Sequence, residues 1–96
     1  MNDTSKRPPD RARVRRAFAV TLRELREKAG ISQEVLALES DIDRGYMGGL
    51  ERACHSPTLE TIYKVLPSLQ VSILQFMEVY DRNLRSRKVR GNEPLF

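Results

Sequence analysis

Cys54 and His55 stand side by side, and a thiol next to an imidazole is the pairing from which metal sites and activated nucleophiles are built. Their surroundings support neither chemistry. Two adjacent ligands with no others nearby do not fill a tetrahedral shell, and no third side chain is spaced to orient the imidazole as a base. A free thiol and a loop histidine are the simpler reading. The cluster "GYMGG", from Gly45 to Gly49, lacks both the spacing and the lysine of a phosphate-cradling loop. These exclusions point away from an enzyme and imply no metal and no cofactor.

What remains is arginine chemistry. Asp43 to Arg52 reads "DRGYMGGLER", a segment with the apolar spacing of a helix although three of its ten residues are glycine. Each glycine costs a helix interior about 1 kcal/mol against alanine, so the three together cost roughly 3 kcal/mol if the penalties add. On a helical wheel of about 100° per residue, Met47 and Leu50 share one face. Gly45, Gly48, Gly49 and Arg52 lie opposite, with Arg44 and Tyr46 on the flanks. Arg44 is the only long polar side chain on the first turn, and its guanidinium can donate to guanine O6 and N7 together. Arg52 lies eight residues on, about 12 Å along the axis, and suits a phosphate contact. The glycines then leave a smooth face for close approach to a groove, with Gly45, Gly48 and Gly49 beside Arg44 at the bases. The competing reading is a degenerate module that has lost this use and contacts protein instead.

Helix signals surround this segment. Residues 1–10 are polar, contain Pro8-Pro9, and read as a flexible basic arm. Val14, Phe18, Leu22, Leu25 and Ala29 then form one apolar stripe, which Gly30 ends. Ser32 is an N-cap for a short second helix that stops near Ser40, and Asp43 caps a third after a tight turn. Two short helices so joined form a helix-turn-helix pattern. Thr58 caps a fourth helix, which Pro67 should end or kink. Ser72 caps a fifth carrying Ile73, Phe76, Met77, Tyr80 and Leu84, with a possible continuation into "RSRKVR". The expectation is an all-α domain of about five helices over residues 11–84, with a basic tail at 85–96.

The chain has 96 residues, 40% of them hydrophobic, enough for one modest core. Its net charge of +4 divides into +5 over residues 1–26, −4 over 27–80 and +3 over 81–96. Basic ends around an acidic middle suit a polyanion such as nucleic acid, or simply a solvated surface. A single cysteine, no apolar run of about 20 residues and no apolar leader point to a cytoplasmic protein with no membrane association.

The stretch "LRELREKAGISQEVLALESDIDRGYMGGLER", followed by "SPTLETIYKVL", resembles the XRE family of lambda-repressor-like helix-turn-helix DNA-binding domains. The match rests on Leu22, Arg26, Gly30, Ser32-Gln33, Leu36-Ala37, Ile42, Leu50 and Glu51 and covers about residues 14–77. Within that family, "SDIDRGYMGGLER" is similar to the restriction–modification controller proteins, whose pattern is S-x-L-D-R-x-Y-x-S-x-I-E-R. The resemblance implies a lambda-repressor-like fold with the helix-turn-helix at helices 2 and 3. It implies a regulator that binds a near-palindromic double-stranded operator as a homodimer. An ion pair between Arg26 and Glu51 is implied, as are phosphate contacts by Gln33, Tyr46, Arg52, His55 and Ser56. The dimer contact falls on helix 5, at Ile73, Phe76, Met77 and Tyr80. Asp41, Ala53 and His55 depart from the family pattern, the first two at positions usually held by glycine. An antitoxin that binds a partner protein through "RSRKVRGNEPLF" is an alternative, as is a protein-interaction module without DNA affinity. The arm "SKRPPDRARVRR" either follows the DNA or is a solvated tail.

Overall fold

In the computed structural model, residues 7–90 are described. They form five helices and one further helical turn, with no strand among the described residues. The helices are α1 (Arg11–Lys28), α2 (Gln33–Glu39), α3 (Arg44–Glu51), α4 (Leu59–Leu69), α5 (Ile73–Leu84) and α6 (Arg87–Arg90). The all-α expectation and the helix-turn-helix at α2 and α3 are therefore met.

Each helix from α1 to α5 begins where a short oxygen-bearing side chain can satisfy a free amide. Asp10, Ser32, Asp43, Thr58 and Ser72 accept the N–H three residues on. At α5 the arrangement is reciprocal, because the Gln75 side chain also accepts the Ser72 N–H at 2.8 Å. Such a cap is worth about 1 kcal/mol. The α2–α3 turn is compact because Asp41 adopts φ 56°, and Ile42 N–H then returns to Ala37 C=O at 2.9 Å. Ala53 follows α3 at φ 61°, so both departures from the family glycine keep the left-handed backbone.

The long helix α1 lies against α3, α5 and α6. Phe18, Leu22 and Leu25 project from it into a core shared with Leu36, Met47, Leu50, Val65 and Phe76. Phe18 and Phe76 meet with ring centroids 5.8 Å apart. This packing holds the solvent face of α3 at a fixed attitude to the rest of the domain.

Three expectations are corrected here. Helix α4 does not end at Leu66: it runs through Pro67 to Leu69 and closes on Gln70, whose φ is 60°. Pro67 is exposed, and so is Tyr63, whose carbonyl would have accepted the missing N–H; Leu69 meanwhile gains a buried site. Phe76 is completely buried within its own domain and is withdrawn from the dimer-contact set. Finally, α5 does not continue through residues 85–90. The chain breaks at Arg85–Ser86 and folds back as α6, which buries Val89 against α1. Arg13 Nε donates to Leu84 C=O at 3.0 Å and Arg16 Nε to Val89 C=O at 2.6 Å, so α1 arginines hold the carbonyls of this corner. The rest of the anticipated tail, 91–96, and residues 1–6 of the arm lie outside the described residues.

Candidate nucleic-acid interface

Helix α3 is fixed to the scaffold from its C-terminal end. Glu51 is buried, and Arg26 of α1 meets it in a fork, Nε to Oε2 at 2.7 Å and Nη2 to Oε1 at 3.0 Å. Arg23 adds a bond from Nη2 to the Glu51 carbonyl at 3.0 Å. Burial pushes the Glu51 carboxyl up, but hydrogen bonds from Arg26 and Gln33 and the charges of Arg26 and Arg23 more than reverse this. The group lies below the ordinary glutamate value, and its bond to Glu51 raises Arg26. The expected Arg26–Glu51 pair is thus present as a bidentate contact between helices.

From Glu51 a polar chain runs outward to the tip of α3. Gln33 Nε2 donates to Glu51 Oε1 at 3.2 Å, and Gln33 Oε1 accepts from Arg44 Nε at 3.3 Å. Arg44 also approaches the Glu34 carboxylate, Nη1 to Oε2 at 3.5 Å. The Arg44 side chain remains 58% exposed, so this last pair is a weak surface contact and leaves the guanidinium available.

The outward face of α3 is not bare. Gly45 is exposed, but Gly48 and Gly49 are buried. A Cβ on Gly48 would lie 2.9 Å from Arg52 Nη1 and 3.3 Å from Gln33 Oε1. On Gly49 it would lie 2.4 Å from His55 Cδ2. The idea of an open glycine surface at those two positions is therefore corrected. The glycines face away from the core, yet Arg52, Gln33 and His55 fold over them. The His55 ring also stacks on Tyr46, centroids 5.1 Å apart at 25°, while Tyr46 packs partly against the core.

Beyond α3, Arg52, His55 and Ser56 are all exposed. Ser56 Oγ accepts a bond from Arg15 Nε at 3.0 Å, which ties α1 to the loop after α3. Arg15 and Arg23 were not singled out from sequence, and Glu34 only as the acidic residue in the first turn of α2, where it stands. Arg15 lay within the basic run of the arm, but nothing local distinguished it from Arg13 and Arg16.

Of the residues anticipated at a dimer contact, Met77 is exposed, while Ile73 and Tyr80 are partly buried against the core. Leu74 and, on α4, Leu59 and Tyr63 are further exposed apolar side chains. Cys54 is a free, exposed thiol, and no group of three or more metal-ligating side chains occurs among the described residues. No helix among them is long and apolar enough to cross a membrane.

Comparison with known proteins agrees with this geometry. The family described as Helix-turn-helix matches residues 22–76, which span the end of α1, all of α2, α3 and α4, and the start of α5. A curated relative, Control protein C.BamHI of Bacillus amyloliquefaciens, is 36% identical over 59 residues, covering 60% of this chain and 73% of the relative. Two solved structures of point mutants of the Restriction-Modification Controller Protein C.Esp1396I share the fold. The first superposes with a TM-score of 0.69 at 25% identity, covering 74% of this chain and 95% of that one. The second gives 0.67 at 25% identity, covering 80% and 100%. With α2 and α3 joined by a tight turn, α3 locked to α1 and relatives of this kind, the chain belongs to the XRE-type helix-turn-helix family, among regulators of the restriction–modification controller type.

Proposed function

We propose that the chain is a sequence-specific transcriptional regulator that binds a near-palindromic operator as a homodimer, with α3 in the major groove. The observation that carries this reading is the position of Arg44. It stands exposed on the first turn of a helix whose far end is fixed by the buried Arg26–Glu51 fork. A recognition helix reads bases from its N-terminal turns, and a fixed axis is what allows one side chain to select one base.

In this reading Arg44 releases Glu34 and donates to guanine, with Gly45 leaving room for close approach. Gln33, Arg52, His55 and Ser56 contact phosphates, and Tyr46 holds the His55 ring in place. Leu74 and Met77, three residues apart on α5, supply the exposed apolar part of the dimer contact; the two-fold axis then gives inverted half-sites, with the one-turn spacing general to helix-turn-helix dimers. The control function named for C.BamHI and C.Esp1396I supports gene regulation as the purpose.

The test is titration of duplex DNA from the gene's own promoter region at moderate salt. Arg44→Ala should lose about 1–3 kcal/mol on the specific site, roughly 5- to 150-fold, and retain non-specific binding. Equal specific affinity in wild type and variant would sink this assignment.

A further inference from the structure

The six arginines of α1 divide into two groups by what they touch. Arg13 and Arg16 bond the carbonyls of Leu84 and Val89, and Arg23 and Arg26 are engaged with Glu51. These four are joined to the domain itself. Arg11 and Arg15 lie one turn apart on one face, and neither forms an ion pair among the described residues.

Arg15 is the more constrained of the two. It is half-buried, and its one hydrogen bond runs from Nε to Ser56 Oγ at 3.0 Å. That bond fixes the guanidinium plane but uses only one of its five N–H groups. Its terminal nitrogens have no partner among the described residues. The Ser56 hydroxyl accepts from Arg15, and its own proton remains free to donate. The next residue back, His55, covers Gly49 and stacks on Tyr46. The Arg15–Ser56 couple is therefore held beside the outer face of α3, by a second helix.

We infer that Arg15 and Ser56 together form a binding site for one backbone phosphate of the DNA duplex, so that the interface extends from α3 onto α1. A positive charge, outward N–H groups and an adjacent hydroxyl donor match a phosphate's oxygens, and a guanidinium held in one plane suits a paired contact. The contact carries no base information, so it strengthens binding to every sequence alike. This inference rests on the DNA-binding reading of the chain.

The experiment measures duplex binding of the full chain by fluorescence anisotropy over a series of NaCl concentrations. Wild type, Arg15→Gln and Arg15→Lys are each compared on a selected operator and on an unrelated duplex. Each phosphate neutralised contributes about 0.9 to the slope of log K against log salt. Arg15→Gln should lower the slope by about 0.9 per protomer bound and weaken both duplexes by the same factor, while Arg15→Lys restores the slope. Gln can still bond Ser56 and Lys keeps the charge, so thermal melts of the two variants separate a folding defect from a lost contact. Wild-type binding with an unchanged slope in Arg15→Gln would overturn the phosphate site alone. So would loss confined to the selected operator. A wild-type chain that binds neither duplex would overturn the DNA-binding reading as well.

Discussion

The two ends of α3 are built on opposite principles. At its C-terminal end Glu51 is buried under a bidentate arginine, and Gly48 and Gly49 are covered by side chains of this same chain. At its N-terminal end Arg44 and Gly45 face solvent, and Arg44 has only a loose hold on Gln33 and Glu34. The closed end sets the axis of the helix, and in the proposed reading the open end uses it. Arg26, Glu51, Gln33 and Arg44 form a continuous path between the two, so rigidity at one end becomes positioning at the other.

The largest loss of stability is expected at the closed end. Glu51→Ala leaves Arg26 facing a buried site without its partner and should cost on the order of 3 kcal/mol, read as a lower urea midpoint. The same group gives a pH signature. Its folded value is depressed, so its contribution is fully present above the ordinary glutamate value of 4.5 and is lost as pH falls through the folded value. Urea midpoints of wild type and Glu51→Gln should therefore differ near neutrality and converge in acid. A constant gap across that range would show that the carboxylate charge is not what holds the helix.

A smaller effect is expected just beyond α3, where Ala53 holds φ 61°. Glycine relieves that backbone, so Ala53→Gly should raise stability by up to about 1 kcal/mol, the left-handed cost being set against glycine's extra chain entropy. Thermal unfolding checks it, and a loss of stability would mean the alanine methyl packs more than its backbone costs.

The smallest net change in stability should come from Gly49→Ala. The helix gains about 1 kcal/mol of propensity, while the new methyl must displace the His55 ring that now lies 2.4 Å from its position. His55 is exposed and can move, so stability should equal or slightly exceed wild type. DNA affinity should nevertheless fall, because the Tyr46–His55 stack is lost. Unchanged affinity would mean that the covered end of α3 only closes the domain.

Much of the fold was legible because its signals are local. Ser32, Asp43, Thr58 and Ser72 each precede an apolar run, and each caps the helix it was expected to cap. Met47 and Leu50 share one face of the helical wheel, and both are fully buried. What was not legible depends on side chains arriving from elsewhere. A helical wheel gives the direction of Gly48 and Gly49 and sets Arg52 beside them, but the rest of their cover comes from Gln33 of α2 and His55 of the following loop, which no wheel of α3 contains. Phe76 shares the α5 pattern with Met77, and only the position of Phe18 across the core decides which of them is enclosed. The corner at α6 is held by Arg13 and Arg16, more than seventy residues away in sequence, and no local pattern encodes that reach.

The central claim is that α3 reads DNA through Arg44. Selection of bound duplexes from a random pool, carried out in parallel with wild type and Arg44→Ala, tests it most directly. The wild-type chain should select two inverted half-sites containing a fixed guanine, and Arg44→Ala should lose the preference at that base while keeping the half-site spacing. An identical motif from both proteins, or no motif from the wild type, would contradict the account.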